Sequence, residues 1–137
     1  MPDRRDRRGR ELERASAPNT LLTVEPIEIN AGAWYLRALR ADERIDDRPA
    51  LADGGITDPD YVTTRAAQWA DESHFSWAVC VPTTAELVAE IGVTPGPDDT
   101  ATVTGWGRPG EDEALAAGLA SVHRFVAGAL GLTAVPA

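Results

Sequence analysis

Two alternating runs separated by four residues constrain this chain more than any other feature. Ser76 to Val81 sets Trp77, Val79 and Val81 against Ala78 and Cys80. Glu86 to Thr94 sets Leu87, Ala89, Ile91 and Val93 on one face. A period of two belongs to a strand, and Pro82-Thr83-Thr84-Ala85 is a hairpin-length connection. Pro95-Gly96-Pro97-Asp98-Asp99 reads as a second turn, and Thr100 to Thr104 as a third, β-branched strand. The centre of the chain is therefore an antiparallel meander.

Helical patterns flank it. Asp58 reads as an N-cap with Pro59 at the first helical position, and Val62, Ala66 and Trp69 fall at i, i+4 and i+7. That helix is expected over 58–72. A longer one is expected over 111–130, where Leu115, Leu119, Val122, Val126 and Leu130, with Phe125, make a core stripe. Glu111, Asp112 and Glu113 favour the dipole of its first turn, and Gly131 suits its C-terminal cap. Upstream, a strand is expected from Ile27 to Leu39, with Gly32 as a turn or bulge. Arg40 to Leu51 reads as a solvated helix or loop. The expected class is α+β: about four antiparallel strands packed against two main helices.

At 137 residues the chain suits one domain, with residues 1–20 as a disordered Arg-rich tail and 21–137 as the folded part. Cys80 is the single cysteine, which excludes an internal disulfide and suits a reducing, cytoplasmic setting. No apolar run reaches the ~18–20 residues of a membrane span. Residues 1–14 hold six Arg against four acids, and the remainder seven Arg against 18 acids. Such an acidic body disfavours nucleic acid and suits a cationic partner, an amine-bearing small molecule or a peptide. His74, His123 and Cys80 lack metal-ligand spacing, so no metal site is expected. No G-x-S-x-G surrounds Ser121, and the chain has no Lys for a Walker loop.

Gly105-Trp106-Gly107-Arg108-Pro109-Gly110 lies between the third meander strand and the long helix. Free amides and the helix dipole make such junctions phosphate sites. The spacing is G-x-G-x-x-G, but a dinucleotide fingerprint also needs a βαβ unit and an acid about 20 residues on. Seven residues follow Leu130, none acidic, and no second parallel strand is expected there. Trp106 is the tryptophan least easily explained by packing and suits a pocket wall.

A resemblance spans about Ile27 to Leu132. Ala31-Gly32-Ala33-Trp34-Tyr35-Leu36-Arg37, then Phe75-Ser76-Trp77-Ala78-Val79 with Glu86-Leu87-Val88-Ala89-Glu90-Ile91-Gly92, then Glu113-Ala114-Leu115 through Leu130-Gly131-Leu132 follow in one order. Their order resembles the first two-thirds of the GNAT acetyltransferase fold, in the branch with ribosomal-protein alanine acetyltransferases. The resemblance implies an acyl-CoA-dependent N-acyltransferase acting on an amine, with acetyl-CoA as cofactor. It implies cofactor contacts at Gly107 and Arg108, with Gly110 as the working glycine under a register shift and Trp106 nearby. Pro109 stands where the family has glycine, and Glu111 and Asp112 replace small or neutral residues. The family continues with a splayed strand, a helix that often carries a Tyr acid, and more strands, so this chain resembles a C-terminally truncated domain. Its tyrosines, Tyr35 and Tyr61, both lie in the early half.

From the residues themselves, Glu90 is the candidate general base, on the face opposite Leu87, Ala89 and Ile91, where the alternative is a solvent-facing strand Glu. Two further readings stay open. One is a non-catalytic GNAT-like binding module that dimerises through an open sheet edge. The other is an unrelated α+β domain.

Overall fold

A computed structural model describes residues 25–136. The tail read at 1–20 lies outside the described residues. The meander forms and extends at both ends into one six-stranded sheet, in chain order: β1 (Ile29–Ala31), β2 (Trp34–Arg37), β3 (Phe75–Cys80), β4 (Leu87–Pro95), β5 (Thr100–Gly107) and β6 (Thr133–Val135). The helices are α1 (Arg48–Asp53), α2 (Tyr61–Asp71) and α3 (Asp112–Gly128). Strands β1 to β5 pair antiparallel with their sequence neighbours, and β6 runs parallel to β5.

Several expectations are corrected. The first strand is two, because Gly32 at φ 70° turns the chain and Ile29 pairs back with Leu36. The sheet has six strands rather than about four. A parallel strand does follow the long helix: Thr133-Ala134-Val135 pairs with Thr100-Ala101-Thr102, so β5, α3 and β6 form a βαβ unit. The helix expected at 58–72 starts at Tyr61 with Asp60 at its N-cap, while Asp58 accepts the Asp60 N–H at 2.9 Å in a turn before it. Ala66 faces solvent, Trp69 is buried, and Tyr61, Val62, Arg65, Gln68 and Ala70 are partly buried.

The sheet is covered on both sides, which is why every residue of β3 is buried. On one side α3 packs over Leu36, Trp77, Val79, Ala89, Ile91 and Val93. The residues of α3 that reach deepest are Ala114, Gly118, Val122 and Val126, with Leu115, Leu119 and Phe125 only partly buried beside them. Of the expected stripe, Val122 and Val126 lie at the centre of the contact with the small residues Ala114 and Gly118, while the leucines and Phe125 flank it. A Cβ on Gly118 would lie 2.8 Å from Val79, and one on Gly105 would lie 2.9 Å from Ile91 and 3.0 Å from Leu115. These glycines let helix and sheet approach closely. Trp69 closes one end of this core, edge-on to Trp77 with ring centres 5.2 Å apart, and donates its indole N–H to the Ser76 carbonyl at 3.0 Å.

On the other side α1 and the start of α2 cover Ala78, Cys80 and Leu87. The β3–β4 register shifts between Val79 and Cys80, so Leu87 pairs with Cys80 and joins this second face. Leu87 therefore lies on the same side as Glu90, not opposite it. Arg37 anchors α1: its guanidinium grips buried Asp47 through two bonds of 2.8 and 2.9 Å and donates to the Ala85 carbonyl at 2.9 Å. One side chain thereby ties β2, the N-terminus of α1 and the β3–β4 turn together.

Candidate functional site

On the face away from α3, a cleft of about 180 Å³ lies over the β4–β5 pair. Tyr61 and Arg65 enter from α2, His74 from the start of β3, Glu90 from β4, and Thr104 and Trp106 from β5. Tyr61 and Arg65 share the cleft because four residues make about one helical turn. Glu90 and Trp106 share it because they are direct cross-strand partners. A larger hollow of about 330 Å³ beside α1 includes Asp47, whose carboxylate is already held by Arg37 and by the Arg40 N–H at 2.7 Å.

Glu90 is 4% exposed, which replaces the solvent-facing alternative with a buried acid. The Tyr61 hydroxyl lies 2.9 and 2.8 Å from its two oxygens, and the Trp106 indole N–H donates to Oε1 at 2.9 Å. Burial pushes the Glu90 pKa up, and the hydrogen bonds from Tyr61 and Trp106 counter it in part. The Arg65 Nε lies 4.0 Å from Oε2. Tyr61 is pushed up to about 12 by burial and by the Glu90 charge, so its hydroxyl keeps its proton at neutral pH.

Arg65 stacks 4.8 Å from the Tyr61 ring centre, donating to Gln68 at 2.8 Å and to the Tyr61 hydroxyl at 3.2 Å. Its Nε is buried without a hydrogen-bond partner among the described residues. The His74 ring lies against Gly92, where a Cβ would come 2.8 Å from Nε2, and Nδ1 lies 2.9 Å from the Thr94 hydroxyl. Burial, then the Arg65 charge, holds His74 down at about 4, so it is neutral at pH 7. Cys80 is fully buried on the same face and pushed up to about 12 by burial, which keeps it a thiol.

The glycine stretch divides. Gly105, Trp106 and Gly107 belong to β5, so only 108–111 form the turn into α3. Trp106 points away from that turn into the cleft, its ring packed on Gly54. Gly107 lies under Leu115, and Gly110 takes φ 84° in the turn. The Arg108 guanidinium turns toward α1 and the hairpin, bonded to Asp53 and Glu86 at 2.7 Å each. Its backbone N–H goes to the Val88 carbonyl at 2.9 Å, and the Glu111 N–H to the Arg108 carbonyl at 3.0 Å. Strand β6 pairs with β5 only at Thr100 to Thr102. Among the described residues, no strand pairs with that edge from Val103 to Gly107.

Sequence reasoning singled out Glu90 and Trp106 separately, and the structure joins them by one hydrogen bond. It did not select Tyr61, Arg65 or His74. The i, i+4 spacing of Tyr61 and Arg65 was the available signal, beside Val62 and Trp69 on the face that turns inward.

No family model matches the chain, and no curated protein matches it. Solved structures do. A protein assigned as a ribosomal-protein-serine acetyltransferase from Vibrio cholerae superposes with a TM-score of 0.63 at 14% identity, over 77% of this chain and 70% of that one. RimJ of Mycobacterium smegmatis, solved in complex with CoA-disulfide, superposes with a TM-score of 0.56 at 20% identity, over 80% of this chain and 64% of that one. The chain has a GNAT-like acetyltransferase fold, and spans about two-thirds of the length of these relatives.

Proposed function

We propose that the protein is an N-acyltransferase that moves an acyl group from acetyl-CoA to an amine. One observation carries this reading. The buried Glu90 carboxylate lies one strand in from the unpaired β5 edge, and that edge runs directly into the N-terminus of α3. The edge offers backbone groups to an extended amide-bearing arm. The N-terminus of α3 offers the Gly110 amide and the free amides of its first turn to a diphosphate. The fit is uneven along this path. Pro109 has no N–H, the Arg108 amide is taken by Val88 of β4 and the Glu111 amide by the turn itself, and Glu111, Asp112 and Glu113 place negative charge where the diphosphate would sit. The thioester arm therefore fits better than the diphosphate, and affinity for CoA should be modest.

Bound acetyl-CoA would supply a thioester carbon to which the neutral amine nitrogen bonds as the C–S bond breaks, the leaving thiolate taking up the proton that the acylated nitrogen gives up. Glu90 removes the proton that an ammonium must lose first, and a raised carboxylate pKa makes it a stronger base for that step. Tyr61 and Trp106 hold the carboxylate still and stabilise its charge. Titration calorimetry with acetyl-CoA and desulfo-CoA tests the reading. A ligand of the folded state at 100 times its Kd adds about 2.7 kcal/mol of stability. No heat and no thermal shift at millimolar CoA would overturn it.

The same unpaired edge favours a second reading, a non-catalytic module that binds a strand of a second copy there. Light scattering decides it: a monomer at high concentration removes that reading.

A further inference from the structure

We infer that the cleft takes a small α-amino acid as a free zwitterion, with the ammonium at Glu90 and the carboxylate at Arg65. The inference rests on the acyltransferase reading only in making this cleft the acceptor site.

Charge balance is the first argument. Of the residues lining the cleft, Glu90 and Arg65 are the charged ones, since His74 is neutral at pH 7. The lining is one anion beside one cation, 4.0 Å apart at Arg65 Nε and Glu90 Oε2. A simple amine would bring one positive charge beside both groups and would face the guanidinium unscreened. An α-amino acid zwitterion presents its ammonium and carboxylate oxygens three bonds apart, and so matches both partners at once.

Unused hydrogen bonding is the second. Arg65 spends one N–H on Gln68 and one on Tyr61, which leaves one N–H on each terminal nitrogen and a buried Nε with no hydrogen-bond partner among the described residues. A buried donor left unpaired is costly, and a guanidinium fork is shaped for a carboxylate. The 4.0 Å gap to Glu90 is too long for a direct hydrogen bond, so that carboxylate does not satisfy it.

Size is the third. A cleft of about 180 Å³ is below the usual range for drug-sized ligands. That suits an amino acid with a short side chain. A peptide N-terminus would replace the carboxylate with an amide, leaving the Arg65 guanidinium only the Glu90 carboxylate 4.0 Å away, and would have to lead the chain out past the rim.

The test is calorimetry on the full chain, without CoA, using L-alanine, L-serine, L-alaninamide and N-acetyl-L-alanine. The amide keeps the ammonium and loses the carboxylate charge; the N-acetyl compound does the reverse. The expected result is that L-alanine or L-serine binds at least about tenfold tighter than either blocked form. Arg65→Gln should erase the preference for acid over amide, and Arg65→Lys should keep part of it. The wild-type comparison stands even if a variant fails to fold. Equal or tighter binding of L-alaninamide, or of an Ala-Gly-Gly peptide amide, overturns the inference. So does failure of both amino acids to bind. If that failure comes with normal acetyl-CoA binding, the acyltransferase reading survives with another acceptor. If the amino acids bind and acetyl-CoA does not, the pocket stands and the donor falls.

Discussion

Strand β4 carries two unlike surfaces. Toward α3 it presents Ala89, Ile91 and Val93, all fully buried among apolar neighbours. Toward α2 it presents Glu90 and Gly92 to a polar cleft. The first surface has no spare volume: glycines on β5 and α3 are needed for the contact at all. The second holds a buried carboxylate, an unpaired guanidinium nitrogen and an imidazole held neutral. Close packing on one face supplies the stability that the other face gives up to hold charged groups out of water. Alternation along a single strand is enough to separate the two roles.

Glu90→Gln should break the comparison most sharply. Acyl transfer, followed by thiol release, should fall by roughly 10²–10⁴-fold, while the midpoint of urea unfolding stays level or rises, because a buried charge is removed. Unchanged turnover would dismiss Glu90 as the base. Trp77→Ala, on the opposite face, should do the reverse. It should cost about 3–5 kcal/mol of stability by denaturant unfolding, with any activity lost only as folded protein is lost.

Tyr61→Phe removes one donor from a buried acceptor and should cost about 1–3 kcal/mol. Acid should recover part of it, since a protonated Glu90 needs less donation; a loss independent of pH would place the effect in packing. Glu111→Ala with Asp112→Ala should tighten CoA binding several-fold, at about 0.3–1 kcal/mol per charge removed from the helix N-terminus. An unchanged Kd would mean the turn does not meet the ligand. The smallest effect belongs to His74. Its folded pKa is held at about 4, below its ordinary 6.5, so the unfolded chain binds the proton more tightly. Its contribution to stability is full above the unfolded value and is lost as pH falls toward about 4. His74→Gln should flatten the melting temperature over that window, and an identical slope would contradict the assignment.

The central strands, the long helix and the α+β class were legible because period-two and period-3.6 patterns are local. The hairpin register was legible too, except at Leu87, which a one-residue slip beside Val79 sends to the other face. Strand β6 was missed because three residues carry no periodicity, and only the return of α3 beside β5 makes them a strand. On α2, Val62 and Trp69 of the expected face do turn inward and Ala66 does not, and Arg65 was passed over because an apolar stripe selects against a charged residue on the same face. Glu90 was visible as an outward strand position, but its burial depends on α2 arriving from 29 residues upstream at Tyr61. Tertiary closure, not local pattern, makes the cleft.

The strict sequence order of the sheet bears on how the chain assembles. Every strand pairs with the one before it, and three of the five pairings join strands a short turn apart. Contacts of short sequence separation close early and at low entropic cost. Two steps reach further, the join of β2 to β3 across α1 and α2, and that of β5 to β6 across α3. A chain emerging from its N-terminus can add each element to a sheet already begun, and the cleft is complete once β5 docks, before α3 and β6 arrive. In sequence order, the residues that line the cleft thus all precede the helix terminus that opens α3.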